Sequence, residues 1–206
     1  MQDLNSLKAK IADMSSLALK MWQGTFRTFM DHDMKLLSSV LDDEHKLNDL
    51  EKEITEGLVQ AARGSSKKQD KANAVIYADV TGDLELIGDY CKDILERVQI
   101  KIEEKLLFSE EAVGEYENLY RRTEEALREI VNALNKDDLA LVKAVFKHDE
   151  HIDSLVDEYR SRHNQRMIDG VCSPMACNMF LNMLDFTAAI YYHAKKIAKN
   201  LLKIKS

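Results

Sequence analysis

The chain has 206 residues with one proline and seven glycines, so it has few of the residues that hairpins and sheets use for tight turns. Apolar residues make up 45% of it, enough for a substantial core. A net charge of −7 excludes typical nucleic-acid binders, which need a clustered basic face. The three cysteines, Cys91, Cys172 and Cys177, lack C-x-x-C spacing and favour free thiols in a reducing cytoplasm. We therefore expect a cytoplasmic, all-α protein.

Apolar residues recur at helical spacing in six segments, separated by Gly, Ser, Asn and Asp. The predicted helices span residues 4–35, 38–63, 68–104, 109–135, 137–168 and 174–203. Ser109 predicts the cap of the fourth helix, and the NKDD sequence at 135–138 predicts a turn before the fifth. Pro174, which follows Ser173, predicts the start of the sixth.

Two pairs of segments resemble each other at nearly equal offsets, which indicates an internal repeat. EHKLNDLEKEI at 44–54 aligns with DEHIDSLVDEY at 149–159 at an offset of 105, and GDYCKDIL at 88–95 aligns with YYHAKKIA at 191–198 at an offset of 103. Any two amphipathic helices align by heptad, but two matches in the same order favour a true repeat. We predict a tandem of two three-helix bundles, residues 1–104 and 105–206, that together form six long antiparallel helices.

Pairs of polar side chains one helical turn apart are the candidate site. Glu85 and Asp89 are four residues apart, and at about 100° per residue they point away from the apolar seam of the third predicted helix. Glu44 and Asn48 flank the seam of the second predicted helix. Asp149 and Asp153 are their counterparts in the repeat.

Carboxylates from two adjacent helices would repel one another unless a cation lies between them, and hard ions such as magnesium, calcium, manganese or iron prefer oxygen ligands. However, 36 residues of the chain are Asp or Glu, and acids at this spacing on an outer helix face are mostly just solvated. Spacing alone leaves both interpretations open.

The segment LELIGDYCKDILE at 84–96 resembles a motif of the PhoU family, regulators of phosphate transport built from two three-helix repeats. The matching residues are Leu84, Glu85, Ile87, Gly88, Asp89, Ile94 and Glu96. Several members of that family bind metal clusters through paired E/D-x-x-x-D motifs. The family's role is to restrain phosphate uptake and signalling through contacts with a transporter and a sensor kinase.

The resemblance implies metal ligands in both repeats, with iron, manganese or magnesium as the ion. In the first repeat these are Glu44, Glu85 and Asp89, with Asn48 where the motif has Asp. In the second repeat Asp149 and Asp153 are the implied ligands. There Ala188 and Tyr192 replace the Glu and Asp expected of the sixth predicted helix, so the second site is degenerate.

The resemblance also implies partners: a phosphate transporter, a sensor kinase or both, with membrane association only through the partner, and a homodimer. A finer resemblance concerns EYRSRHNQRMIDGVC at 158–172, which is similar to a stretch in the PhoU-like cytosolic region of bacterial sodium/phosphate cotransporters. The alternative is therefore a domain of such a transporter. Without that resemblance, Arg160, Arg162, His163 and Arg166 are interpreted as cations near a helix C-terminus.

Two rival functions remain open. A di-iron enzyme would need Glu-x-x-His on two helices in the bundle core, and no such sequence occurs. Glycine-rich phosphate loops and Gly-flanked serines are also missing, so we expect a protein that is not an enzyme. A helical scaffold that binds no metal is the second rival.

Overall fold

The computed structural model describes residues 4–204, without the side chains of residues 147–151. Within this range every regular element is helical, so the all-α prediction is confirmed. The elements in chain order are α1 (Leu4–Asp31), α2 (Met34–Gly64), α3 (Lys68–Glu103), α4 (Glu110–Asn135), a 3-10 helix (Leu139–His151), α5 (Ile152–Ile168) and α6 (Pro174–Leu201).

Side-chain caps mark the predicted helix starts. The hydroxyl of Ser109 accepts from the amide N–H of Ala112, and that of Ser173 accepts from the N–H of Ala176 just after Pro174. Asp138 accepts from the N–H of Ala140 in the turn before the 3-10 helix. These three predicted boundaries are confirmed, because each cap satisfies a backbone donor that has no partner inside its helix.

The first helix ends earlier than residue 35, where the apolar periodicity placed it. His32 has a left-handed φ of 54°, and the side chain of Asp33 accepts from the amides of Lys35 and Leu36. Asp33 is therefore the N-cap of α2. The periodicity of the apolar residues continues across this break, which explains why it misled the prediction.

The fifth predicted helix is wrong in its first half. Residues 139–151 form a 3-10 helix and only residues 152–168 are α-helical. A 3-10 helix has three residues per turn, and such runs are usually three or four residues long. Val142 and Val145, three residues apart, are both buried, which matches that tighter winding.

The two predicted repeats share one core. α3 packs against α1, α2 and α6, and α4 packs against α1 and α6. Trp22 of α1 is fully buried and stacks on Tyr120 of α4 with ring centroids 5.1 Å apart. The predicted boundary after residue 104 falls in the connection between α3 and α4, and the division into two domains stays a prediction. None of the described helices is long and apolar enough to cross a lipid bilayer.

Candidate metal-binding site

A glycine sets the close approach of α2 and α3 at the candidate site. A Cβ atom built on Gly88 would lie 2.3 Å from Cδ2 of Leu47, a fully buried side chain of α2. No real Cβ tolerates that distance without displacement of its neighbour. Gly88 therefore lets the backbone of α3 come close to α2, with Glu85 and Asp89 on either side of it in the sequence.

Glu44 is the buried acid of the cluster, with only 2% of its surface exposed. Lys92 Nζ of α3 donates to its Oε1 at 3.2 Å, and Asn48 Nδ2 donates to the same oxygen at 3.1 Å. His45 Nδ1 lies 3.1 Å from the other oxygen, Oε2. A carboxylate buried this deeply needs such partners, because burial without them is costly.

Glu85 and Asp89 are half-buried against α2, although the helical periodicity had placed them on an outward face. Partial burial raises the pKa of both carboxyl groups above their ordinary values. Neighbouring charges add to the rise: Asp89, Glu51 and Glu44 act on Glu85, and Glu44 acts on Asp89. The three predicted acids of the first repeat therefore lie close enough to interact.

The donors in this cluster fit a hard cation. The buried Oδ1 of Asn48 has no hydrogen-bond partner among the described residues, and an amide oxygen is a ligand that magnesium, calcium and manganese accept. Glu51 of α2 joins the cluster and was missed, although it lies seven residues after Glu44 on the same helix face. Glu44, Asn48, Glu85 and Asp89 would hold the ion.

Two features show what ion binding would require. The carboxylate oxygens of Glu44, Glu85 and Asp89 do not all lie within 4.8 Å of one another in the described structure, so a shared ion would need side-chain rotation. The Lys92 ammonium already supplies one positive charge to Glu44. An incoming cation would therefore compete with Lys92.

The second repeat does not build an equivalent cluster from its described side chains. Asp153 is exposed, and Tyr192, at the position where the family motif has Asp, is 60% exposed. The side chain of Asp149 lies outside those described. The apolar half of the alignment does hold, since Ile152 is buried as Leu47 is, and Tyr159 is buried as Ile54 is.

A buried acid that the sequence analysis missed joins α3 to α6. Asp83 is 1% exposed, and its Oδ1 lies 2.8 Å from both His193 Nδ1 and Lys196 Nζ. Its other oxygen, Oδ2, is buried without a hydrogen-bond partner among the described residues. Asp83 lies one residue before Leu84 of the core seam, which was the available signal that it faces inward.

The basic residues near the end of α5 were predicted to be cations near a helix C-terminus, and this holds for the arginines but not for His163. Arg160 pairs with Asp185, and Arg166 pairs with the buried Glu115 of α4. His163, however, is 1% exposed and is not a surface cation. Burial and, to a smaller extent, the adjacent Arg166 together lower the pKa of its imidazole to about 4, so the ring is neutral near pH 7.

Known proteins resemble this chain in sequence and in fold. Residues 11–98 match the family model described as the PhoU domain, a region that contains Glu44, Asn48, Glu85 and Asp89. A protein of Thermotoga maritima named phosphate-specific transport system accessory protein PhoU homolog 1 is 21% identical over 206 residues, which are 100% of this chain and 88% of that protein. The homolog of Rhizobium meliloti is 29% identical over 98 residues, 47% of this chain and 41% of that protein.

Solved structures agree with these matches. PhoU from Pseudomonas aeruginosa superposes with a TM-score of 0.90 at 19% identity, covering 98% of this chain and 96% of that one. The phosphate transport system regulatory protein PhoU from Streptococcus pneumoniae superposes with a TM-score of 0.85 at 15% identity, covering 98% and 94%. At these identities the superpositions establish the fold. With the domain match over residues 11–98 and the relative aligned over all 206 residues, the resemblance first visible in residues 84–96 is confirmed, and this chain is similar to PhoU proteins in sequence and in fold.

Proposed function

We propose that this chain is an accessory protein that regulates phosphate transport through contacts with a transporter or a sensor kinase, without catalysing a reaction. The observation that carries the proposal is the match over residues 11–98, because the Glu44, Asn48, Glu85 and Asp89 cluster lies wholly inside it. The full-length relative from Thermotoga maritima is named as an accessory protein of a phosphate-specific transport system. The alternative of a cotransporter domain stays a prediction.

The proposal includes a hard divalent cation, iron, manganese or magnesium, at the α2–α3 cluster. Two observations support it: the raised pKa values of the Glu85 and Asp89 carboxyl groups, and the buried Asn48 Oδ1, which has no hydrogen-bond partner among the described residues. A cation would offset the repulsion between the carboxylates and would give the amide oxygen a partner. The bound ion would neutralise this part of an acidic surface. It would also fix the position of α2 relative to α3.

The regulatory part is tested by deleting the gene in its host and measuring phosphate uptake and phosphate-responsive gene expression. Loss of a restraining regulator should raise uptake at high external phosphate, and the wild-type gene should restore the restraint. Unchanged uptake together with unchanged expression would refute the role. Complementation with the Glu85→Gln/Asp89→Asn gene then tests whether the acidic cluster is needed to restrain phosphate uptake.

The cation part is tested separately by elemental analysis of protein purified without chelator. We expect a stoichiometric hard metal in the wild type and its loss in Glu85→Gln/Asp89→Asn. The double variant Asp49→Asn/Glu56→Gln changes the net charge equally at exposed positions of α2 and should retain the metal. Wild-type protein without metal, even after incubation with manganese or magnesium, would leave a helical scaffold as the better description.

A further inference from the structure

Three ligand-type side chains converge where α5 connects to α6, far from the acidic cluster in the sequence. His163 lies in the last third of α5, Cys172 in the connection and Cys177 in the first turn of α6. One atom of each, an imidazole nitrogen or a thiol sulfur, lies within 4.8 Å of the other two. Within the described part of the chain, this is the one group of three His, Cys, Asp or Glu side chains that meets this distance.

The fold holds these side chains in place. The His163 ring stacks on Phe180 of α6 with centroids 4.1 Å apart, and its Nε2 lies 4.0 Å from Cys172 Sγ. The Cys177 thiol donates to the backbone carbonyl of His163 at 3.9 Å. Gly170 turns the connection with a left-handed φ of 73°, and Ser173 caps α6. The connection therefore brings both sulfurs close to the imidazole.

The surrounding charges are compatible with bound thiolates. The Arg166 guanidinium pairs with Glu115, and its Nη2 donates to His163 Nδ1 at 3.1 Å. Because Nδ1 accepts this bond, the proton of the neutral imidazole is on Nε2, which lies 4.0 Å from Cys172 Sγ. Ligation through Nε2 moves that proton to Nδ1, so Arg166 must release the histidine, and Glu115 remains its partner.

We propose that His163, Cys172 and Cys177 form a site for a thiophilic divalent ion of the zinc class. A site of two thiolates and one neutral imidazole binds zinc in preference to magnesium or manganese. Each thiol gives up its proton to solvent on binding, so the two thiolates balance the charge of the ion. This site differs in ligand chemistry from the oxygen cluster at α2 and α3 and does not depend on it.

Two of the ligand atoms already lie near the separation that a tetrahedral ion would require. With Zn–S near 2.3 Å and Zn–N near 2.0 Å, two ligands of a tetrahedral ion lie roughly 3.5 Å apart. His163 Nε2 and Cys172 Sγ, at 4.0 Å, need to approach by only about 0.5 Å on that geometry. His163 and Cys177 are buried and Cys172 is partly exposed, so the ion enters from the Cys172 side, where a fourth position is left for water.

The test uses the full chain, reduced and freed of metal, titrated with cobalt(II) and then zinc. We expect an intense near-ultraviolet thiolate-to-cobalt charge-transfer band whose intensity corresponds to one thiolate-bound cobalt per chain, and loss of that band when zinc displaces cobalt. Cys172→Ser and Cys177→Ser should abolish the band. His163→Gln should weaken binding by more than the roughly 10- to 100-fold that loss of an outer-shell partner costs.

Two control variants keep the test specific. His45→Gln removes an exposed histidine, and Glu85→Gln/Asp89→Asn removes the acidic cluster, so both should keep the band. Thiol modification gives a second readout: zinc should slow the reaction of the partly exposed Cys172 at least about ten-fold, while Cys91 stays unreactive because it is fully buried.

Any of three results would overturn the site. One is a folded wild-type protein, by circular dichroism, that shows no thiolate band at saturating cobalt. Another is a band that survives Cys172→Ser. The third is a reduced protein in which Cys172 and Cys177 close to a disulfide on exposure to air as fast with zinc as without it.

Discussion

Lys92 Nζ of α3 lies 3.2 Å from Oε1 of Glu44 on α2, so the candidate metal-binding site already contains one positive charge. Glu44 is buried, whereas the Lys92 side chain is 41% exposed. The lysine can therefore swing into solvent at small cost, while the glutamate cannot. This asymmetry makes Lys92 a built-in competitor for a divalent cation.

Replacing Lys92 should lower the stability of the protein without bound metal and should raise its affinity for a divalent cation. Lys92→Gln removes the charged donor to buried Glu44, and we expect the free energy of unfolding to fall by about 1.5 kcal/mol in buffer with chelator, the low end of the range for a hydrogen bond to a charged group because Lys92 is partly exposed. Because the competitor is gone, manganese should raise the melting temperature of the variant more than that of the wild type. Differential scanning calorimetry with and without manganese measures both effects.

The matched control is Lys52→Gln, an exposed lysine of α2, for which both effects should be small. A Lys92 variant that loses stability yet gains nothing from manganese would show that the lysine is purely a structural partner of Glu44.

The raised pKa values of Glu85 and Asp89 predict how stability depends on pH. The folded protein holds these protons more tightly than the unfolded chain, so their stabilising contribution is complete in acid and is lost as the pH rises through the raised pKa values. Near pH 7 Glu85→Gln/Asp89→Asn should therefore be more stable than the wild type, by about 0.5 kcal/mol on the scale of like charges one turn apart.

This gain should vanish in acid, because the wild-type carboxyl groups take up protons as the pH falls through their raised pKa values. Urea unfolding in chelator at several pH values measures the difference. Asp49→Asn/Glu56→Gln should show no comparable gain. If Glu85→Gln/Asp89→Asn is less stable than the wild type at pH 7, the two carboxylates do not repel one another and instead have stabilising partners in the folded protein.

Asp83 should be far more sensitive to substitution than an exposed acid of the same helix. Asp83→Ala leaves His193 and Lys196 facing a gap between α3 and α6, and we expect a loss of about 3 kcal/mol, typical of breaking a buried ion pair. Asp79, one turn earlier on α3, is exposed, so Asp79→Ala should change stability by less than about 0.5 kcal/mol. Chemical denaturation compares the two. Equal losses would contradict the interpretation that burial, and not charge alone, gives Asp83 its importance.

Two glycines of α3 should respond in opposite directions to the same substitution. Gly88→Ala places a Cβ against Leu47, and we expect a loss of about 1–2 kcal/mol from overpacking. Gly82→Ala meets no atom within 4 Å, so better helix propensity should stabilise the protein by about 0.5–1 kcal/mol. Thermal unfolding of the two variants tests the pair. Gly88→Ala that is as stable as Gly82→Ala would show that α2 and α3 can separate freely.

Much of the candidate site was predictable from local spacing. Residues four apart share a helix face whatever surrounds them, so Glu44 with Asn48 and Glu85 with Asp89 were paired before any packing was known. Their half-buried state was not predictable in this way, because it depends on how much of α3 its neighbours cover. α3 packs against α1, α2 and α6, so a single seam underestimates its buried surface.

The sequence by itself determined most of the helices, most of their caps and the resemblance to PhoU proteins, since each depends on periodicity, on a capping residue or on a quoted motif. Only the tertiary structure decided which polar groups meet: Lys92 with Glu44, Asp83 with His193, and His163 with the thiols of Cys172 and Cys177. The physical reason is that helical periodicity fixes the direction of a side chain about its own axis. The distance between two helices depends on packing, as at Gly88 and Leu47. That distance decides whether side chains from different helices can reach each other and form a site.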